Sequence, residues 1–317
     1  MPHFIDAAVN GGQHAGKFDY KRRAFITSLA KTAGGIAFLN IPFLATANTL
    51  ASTQASVTVG DIMDLFIKQV PNAPLEHTVD TLKAGSRDMQ VTGIVTTMFA
   101  TVEVIKKAID TKANFIIAHE PAFYNHADET DWLKEDAVYQ YKKALLDKHN
   151  IAVWRNHDYV HSLAADGVRE GVLAQLDWKR FDTGKGENVV FAQPVSLGTL
   201  IEHLKNKLNI PMVRYIGSET QLCRKVLLMP GASGGRSQIT AMSNNKPDVL
   251  ICGEIQEWET AEYVRDARAM GEQLSLVVLG HIASEEPGSE WMAKWLQQHV
   301  PGVPVTHIPA GNALQFA

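Results

Sequence analysis

The chain has almost no cysteine. Cys223 and Cys252 are the only two in 317 residues, and without a C-x-x-C pair they exclude a thiolate metal site and a disulfide-framed scaffold. Each lies in or beside an apolar run. A bridge between them would need an oxidising compartment, and cysteines in strands are more often buried thiols. A dense run of Lys or Arg is also missing. The formal charge is −4, but Lys17, Lys21, Arg22, Arg23 and Lys31 against Asp6 and Asp19 give residues 1–47 a charge of +3, leaving −7 on the remainder. An acidic body with no basic patch repels a phosphate backbone, so no nucleic-acid partner is expected. There is no unbroken apolar span either, because Lys31, Gly34-Gly35 and Pro42 interrupt the single candidate. No short solenoid repeat is present, and low complexity is confined to the N-terminal segment. The composition, 45% hydrophobic and 20% charged, is that of a globular protein large enough for one large or two modest domains.

The first fifty residues read as a targeting segment. In "YKRRAFITSLAKTAGGIAFLNIPFLATANTLA" the pair Arg22-Arg23 stands directly before an apolar stretch, and Ala45-Thr46-Ala47 offers a small-residue cleavage signal. This resembles a twin-arginine export signal. The resemblance implies a signal segment over 1–47, a linker over 48–56, use of the export machinery and a periplasmic mature protein. An uncleaved N-terminal anchor is the other reading. Twin-arginine export carries proteins already folded, a route that suits a protein acquiring its metal before it leaves the cytoplasm.

Beyond residue 57 helical and strand patterns alternate. "VTVGDIMDLFIKQV" carries apolar residues at helical spacing, and "VTGIVTTM", "NFIIAH" and "IAVWRNH" read as strands separated by the helices "ATVEVIKKAIDTKA" and "EDAVYQYKKALLDKHN". The second half repeats the order. Its strands are "PMVRYIG", "KVLLMP", "DVLICGE", "LSLVVLGH" and "VPVTHIP"; its helices begin at "VSLGTL", "GASGGRSQ", "EWETAEY" and "EPGSEW". The expected fold is α/β. Two linked halves, 57–187 and 188–317, meet at the turn-rich "TGKGEN", each a largely parallel or mixed sheet flanked by helices, with a metal site between them.

Several strands end in residues that can hold a metal. "NFIIAHEP" releases His119 and Glu120, "RNHDYVH" supplies His157, Asp158 and His161, "GHIASEE" supplies His281 and Glu285, and "DVLICGE" ends in Glu254. Parallel strands deliver their C-terminal ends to one edge of a sheet, so these groups can converge. His281 and Glu285, four apart, share a face if the chain turns helical there. Nitrogen and oxygen donors without thiolate suit zinc, manganese or iron. Five ligands are too many for one tetrahedral ion and fit two divalent ions sharing a carboxylate, the arrangement that activates water for hydrolysis. The competing reading is a set of ordinary loop histidines and helix caps. His126 and Asp128 are candidates to orient a ligand, and Glu254 to accept a proton. "GASGG" can cradle an anion or simply serve the backbone. Trp132, Trp154 and Trp258 can line a pocket mouth or belong to the core.

The segments "VTGIVTTMFATVEVIKKAIDTKANFIIAHEPAFY", "IAVWRNHDYVH", "PGASGG", "DVLICGE" and "VVLGHIASEEPG" occur in an order and spacing that resemble the NIF-three-like dinuclear metal-centre family, whose members include GTP cyclohydrolase type-two homologues. The likeness runs from about residue 57 to the C-terminus. It implies metal ligation by His119, Glu120, His161, His281 and Glu285. Glu120 stands where most relatives have a second histidine, and His161 where they have an aspartate, so Asp158 is the alternative ligand if His161 points away. The aspartate that follows "GIVT" in relatives is absent here, where Met98-Phe99 stand. The resemblance further implies a homo-oligomer, a ring-shaped hexamer, and either a metal-dependent hydrolase of a small molecule or a metal-binding scaffold without turnover.

Overall fold

Thr58 begins the first helix by a reciprocal cap. Its hydroxyl accepts from the amide of Asp61, whose carboxylate accepts from the Thr58 amide, which satisfies two donors that a helix start leaves free. The structure, a computed structural model, describes residues 57–315; the proposed signal segment 1–47 and linker 48–56 lie outside the described residues. The capped helix, α1 (Val59–Ile67), buries Val59, Ile62, Met63 and Phe66 at the spacing of one helical face.

The first sheet is built on β2 (Ile94–Thr97), β3 (Phe115–Ala118) and β4 (Ala152–Arg155), which run parallel and are buried throughout. Burial on both faces is why they read as short continuous apolar runs rather than alternating ones. The helices α2 (Val102–Asp110) and α3 (Ala137–Lys148) connect them, capped by the side chains of Thr101 and Asp136. At one edge the short β1 (Leu82–Ala84) lies antiparallel to β4; at the other, β10 (Val305–His307) lies parallel to β2. The strand order is β1-β4-β3-β2-β10. After β4 come a single turn, α4 (Asp158–His161), and α5 (Gly167–Gln175).

The second sheet has the order β5-β7-β8-β9-β6. Its centre, β7 (Leu222–Met229), β8 (Val249–Cys252) and β9 (Ser275–Val278), is parallel, while β5 (Asn188–Ser196) and β6 (Arg214–Ile216) pair antiparallel at the edges. Helices α6 (Leu197–Leu208), α7 (Gly235–Asn245), α8 (Glu262–Ala269) and α9 (His281–His299) complete this part. Both sheets are thus mixed, each parallel in the middle. Cys223 and Cys252 are buried free thiols, and burial pushes the Cys223 thiol up to about 11.

The elements β1, β5, α4 and α5 escape the sequence pattern. Pro194 makes "ENVVFAQPV" a poor strand, and it is accommodated because β5 is an edge strand whose pairing shifts register between Val190 and Val195. The last helix starts at His281, five residues before the "EPGSEW" run, and carries Pro287 inside it.

That helix ties the two sheets together. It follows β9 of the second sheet and packs against α5, β2 and β10 of the first, and the Thr96 hydroxyl donates to the Ser289 carbonyl at 2.7 Å. Contact with α5 is backbone to backbone. A Cβ at Gly171 would stand 2.3 Å from the Pro287 carbonyl oxygen, and one at Gly288 would stand 2.8 Å from the Val168 Cα. The largest apolar cluster runs without interruption from Phe66, Phe115 and Trp154 to Val226 and Val277. Trp154 is therefore core, whereas Trp132 and Trp258 are exposed.

Candidate metal centre

Residues that continue β3 beyond its last pairing are held by backbone bonds to the neighbouring segment: the amides of His119 and Glu120 donate to the carbonyls of Thr97 and Met98 at 3.0 and 2.9 Å. Both side chains are buried. The Nδ1 of His119 donates to the Asn156 carbonyl at 3.4 Å. Arg155, at the end of β4 and fully buried, donates to Glu120 Oε2 at 3.3 Å. Buried Asp128 balances that guanidinium at 3.7 Å and Lys83 at 3.3 Å. Asp128 thus reaches the site through Arg155, and His126 contributes its carbonyl, which accepts from Arg155, while its ring centroid stands 6.4 Å from that of His157.

Asp80 shapes the turn after β4. Its buried carboxylate accepts from the amides of His157 and Tyr159 at 2.9 and 2.7 Å, which fixes the start of α4. The His157 Nδ1 donates to Asp158 Oδ1 at 2.9 Å. The other Asp158 oxygen accepts from the Thr78 hydroxyl at 2.8 Å and the Val79 amide at 3.0 Å. Asp158 is therefore engaged by Thr78, Val79 and His157, and of the pair Asp158 and His161 it is His161 that faces His119, with ring centroids 5.1 Å apart. The His161 Nδ1 donates to Asp166 Oδ2 at 2.8 Å. Asp166 also caps α5, its Oδ1 accepting from the amides of Val168 and Arg169.

His281 and Glu285 stand one turn apart at the start of α9. The His281 Nε2 lies 3.0 Å from Glu285 Oε2 and 3.2 Å from Glu120 Oε1, and its Nδ1 lies 3.0 Å from Glu254 Oε1. Glu285 Oε2 is in turn 3.5 Å from His119 Nε2. The glycine turn serves this carboxylate. Gly231 has φ 69°, and a Cβ there would stand 2.2 Å from Glu285 Oε1, so the backbone approaches to a distance only glycine permits.

Six side chains consequently converge: His119, Glu120, His157, His161, His281 and Glu285. Burial raises the cost of charge on Glu285, but His119 and His281 outweigh it and hold the carboxyl well below its usual range. Glu120 is lowered in the same way, against burial, by His281 and His119. Burial opposes the charge on His281 too, yet the two carboxylates raise it to about 10. Burial and the neighbouring His119 depress His157, whereas Asp166 overcomes burial and raises His161.

These residues fit a divalent cation. One ligand atom from each of His119, His157 and His161 lies within 4.8 Å of the other two, and the same holds for His119, Glu120 and Glu285. Among the described residues the buried His119 Nε2 finds no hydrogen-bond partner, although buried polar atoms are almost always paired. Its Nδ1 is the donor to Asn156, so in the neutral ring Nε2 presents a lone pair toward imidazoles and carboxylates, as a metal ligand does.

The structure brings together all five ligands expected from sequence, with the further candidate His157 beside them. Sequence reasoning gave no role to Asp166, Asp80 or Arg155. A signal for Asp166 existed, since an Asp before "GVREGVLAQL" is a helix cap; Asp80 and Arg155 act through contacts that no local pattern encodes.

Residues 57–312 match the family described as Duf34/NIF3 (NGG1p interacting factor 3). The chain is similar to a Clostridium acetobutylicum protein named GTP cyclohydrolase 1 type 2 homolog, 24% identical over 227 residues that cover 68% of this chain and 80% of the relative. Among solved structures, a Staphylococcus aureus hypothetical protein superposes with a TM-score of 0.67 at 19% identity, covering 83% of this chain and 100% of that one. A Bacillus cereus protein related to NIF3 superposes at 0.66 with 17% identity, covering 83% and 99%.

Proposed function

The chain belongs to the Duf34/NIF3 family, and from that premise we propose that it is an exported protein with a dinuclear metal centre that hydrolyses a small-molecule substrate. The convergence of four imidazoles on two buried carboxylates carries this reading. Two divalent ions, zinc, manganese or iron, would be held by His119, Glu120, His157, His161, His281 and Glu285, and bound there they supply Lewis acidity and an activated water. Glu285 lies between His119 and His281, and Glu120 between His281 and His157, whose Nε2 is 3.8 Å away. Arg155 holds the outer oxygen of Glu120 in place. Glu254 orients His281 and, with its side chain 55% exposed, can pass a proton to solvent.

The site is closed by His119, Glu120 and Glu285 on its inner side and open at His157 and His161, whose side chains are 26% and 30% exposed. An open side favours turnover over a purely structural centre. The protein should be purified without added metal or chelator and its metal content measured beside hydrolysis of phosphoester, amide and cyclic-nucleotide substrates. About two ions per chain, with hydrolysis lost to chelator and restored by metal, is the expected result. Bound metal without turnover would favour storage or scaffolding, and no metal would overturn the reading.

Export is proposed from the Arg22-Arg23 segment. Replacing both arginines by lysine should retain the protein in the cytoplasm, which cell fractionation reads; unchanged export would remove the proposal. A mature protein outside the cytoplasm does not meet cytoplasmic GTP, so the relatives' name is not carried to this chain's substrate.

A further inference from the structure

His119, His157 and His161 come from three separate places, the end of β3, the start of α4 and the end of α4, yet their ring centroids lie only 4.8, 5.1 and 4.9 Å apart. Each ring is tied at the same atom. The Nδ1 of His119 meets the Asn156 carbonyl, that of His157 meets Asp158 and that of His161 meets Asp166. A carbonyl or an ionised carboxylate can only accept, so each Nδ1 carries a ring proton, and in the neutral ring that a metal binds each Nε2 keeps its lone pair. The two carboxylates are themselves fixed, Asp158 by Thr78 and Val79 and Asp166 by the first amides of α5. Each neutral ring is thereby held in one tautomer, and one ring nitrogen from each lies within 4.8 Å of the other two.

Resting on the dinuclear reading above, we infer that one of the two ions is held by an all-nitrogen half-site, the Nε2 atoms of His119, His157 and His161, selective for a borderline ion such as zinc over manganese. His157 is a ligand of this half, and Asp158 and Asp166 are positioning residues acting through His157 and His161. The other half is the oxygen-rich one, with Glu120, Glu285 and His281. Imidazole suits zinc, copper and nickel, whereas carboxylate and water suit manganese and magnesium. The two halves therefore differ in the ion they prefer. A carboxylate behind a ligating imidazole fixes its orientation and raises its basicity, and its loss typically costs about 10- to 100-fold in metal affinity.

Zinc and manganese affinities of the metal-stripped full chain should be measured by chelator competition in the wild type, His157→Gln and Asp166→Asn. His157 is partly exposed, so glutamine opens no core cavity; asparagine at 166 keeps the cap on α5. The expected result is loss of the tighter zinc site in His157→Gln, about a tenfold weaker one in Asp166→Asn, and manganese binding little changed in both. With one equivalent of copper(II), the paramagnetic-resonance spectrum should show coupling to three imidazole nitrogens in the wild type and to two in His157→Gln. Two zinc ions retained at wild-type affinity, or an unchanged nitrogen count, in His157→Gln would overturn the half-site and leave the dinuclear reading standing. Absence of metal binding in the wild type would overturn both.

Discussion

Replacing Glu285 with alanine is expected to remove most bound metal, taking the measured content from about two ions per chain to one or none. The carboxylate sits between His119 and His281 at 3.5 and 3.0 Å, so it touches both the inner histidine and the one supplied by the second sheet. No neighbour can take its place. Gly231 fills the space behind it with backbone, and the other carboxylate, Glu120, is held toward Arg155. The metal-free protein should also weaken. Breaking a buried ion pair by deleting one partner costs about 3–5 kcal/mol; His281 keeps Glu120 and Glu254 at 3.2 and 3.0 Å, so the loss here should fall below that range. Elemental analysis and chemical denaturation of the stripped protein read the two effects separately. Full metal content in the variant would show that the ions sit elsewhere.

Much of this site could be read along the chain, and what could not has identifiable causes. Strand runs such as "FIIA" and "VLIC" are buried on both faces and stand out by their apolar content. The ligands at their ends follow from the rule that parallel strands deliver their C-terminal ends to one edge. The choice between Asp158 and His161 was open because it depends on what lies on the far side of α4: Thr78 and Val79 occupy Asp158, and Asp166 draws His161 inward. The partner ring of His157 is equally hidden from any local pattern, since His119, on which it stacks, is 38 residues earlier in the chain. The short β1 has no apolar pattern of its own and exists by pairing with β4. Helix α5 is the most instructive omission. Gly167 and Gly171 lower its intrinsic helix propensity, and their reason, the close approach of α9, lies more than a hundred residues downstream.

That close approach carries the second large prediction, Gly171→Ala. Alanine is the better helix former, so an isolated helix would gain slightly from the change. In the folded protein the added methyl would stand 2.3 Å from the Pro287 carbonyl oxygen and 2.6 Å from its carbonyl carbon. Neither atom belongs to a flexible side chain, so whole helices must separate, and overpacking of this kind costs about 1–3 kcal/mol. The steric term therefore wins, and the denaturation midpoint should fall. The effect should extend to the metal. Asp166, which holds His161, caps α5, while His281 and Glu285 form the first turn of α9 six and two residues before Pro287. Moving the two helices apart moves His161 relative to Glu285, and zinc affinity should fall with stability although residue 171 touches no ligand. A variant with wild-type midpoint and wild-type zinc affinity would show that the helices can slide without cost and that the centre does not depend on their spacing.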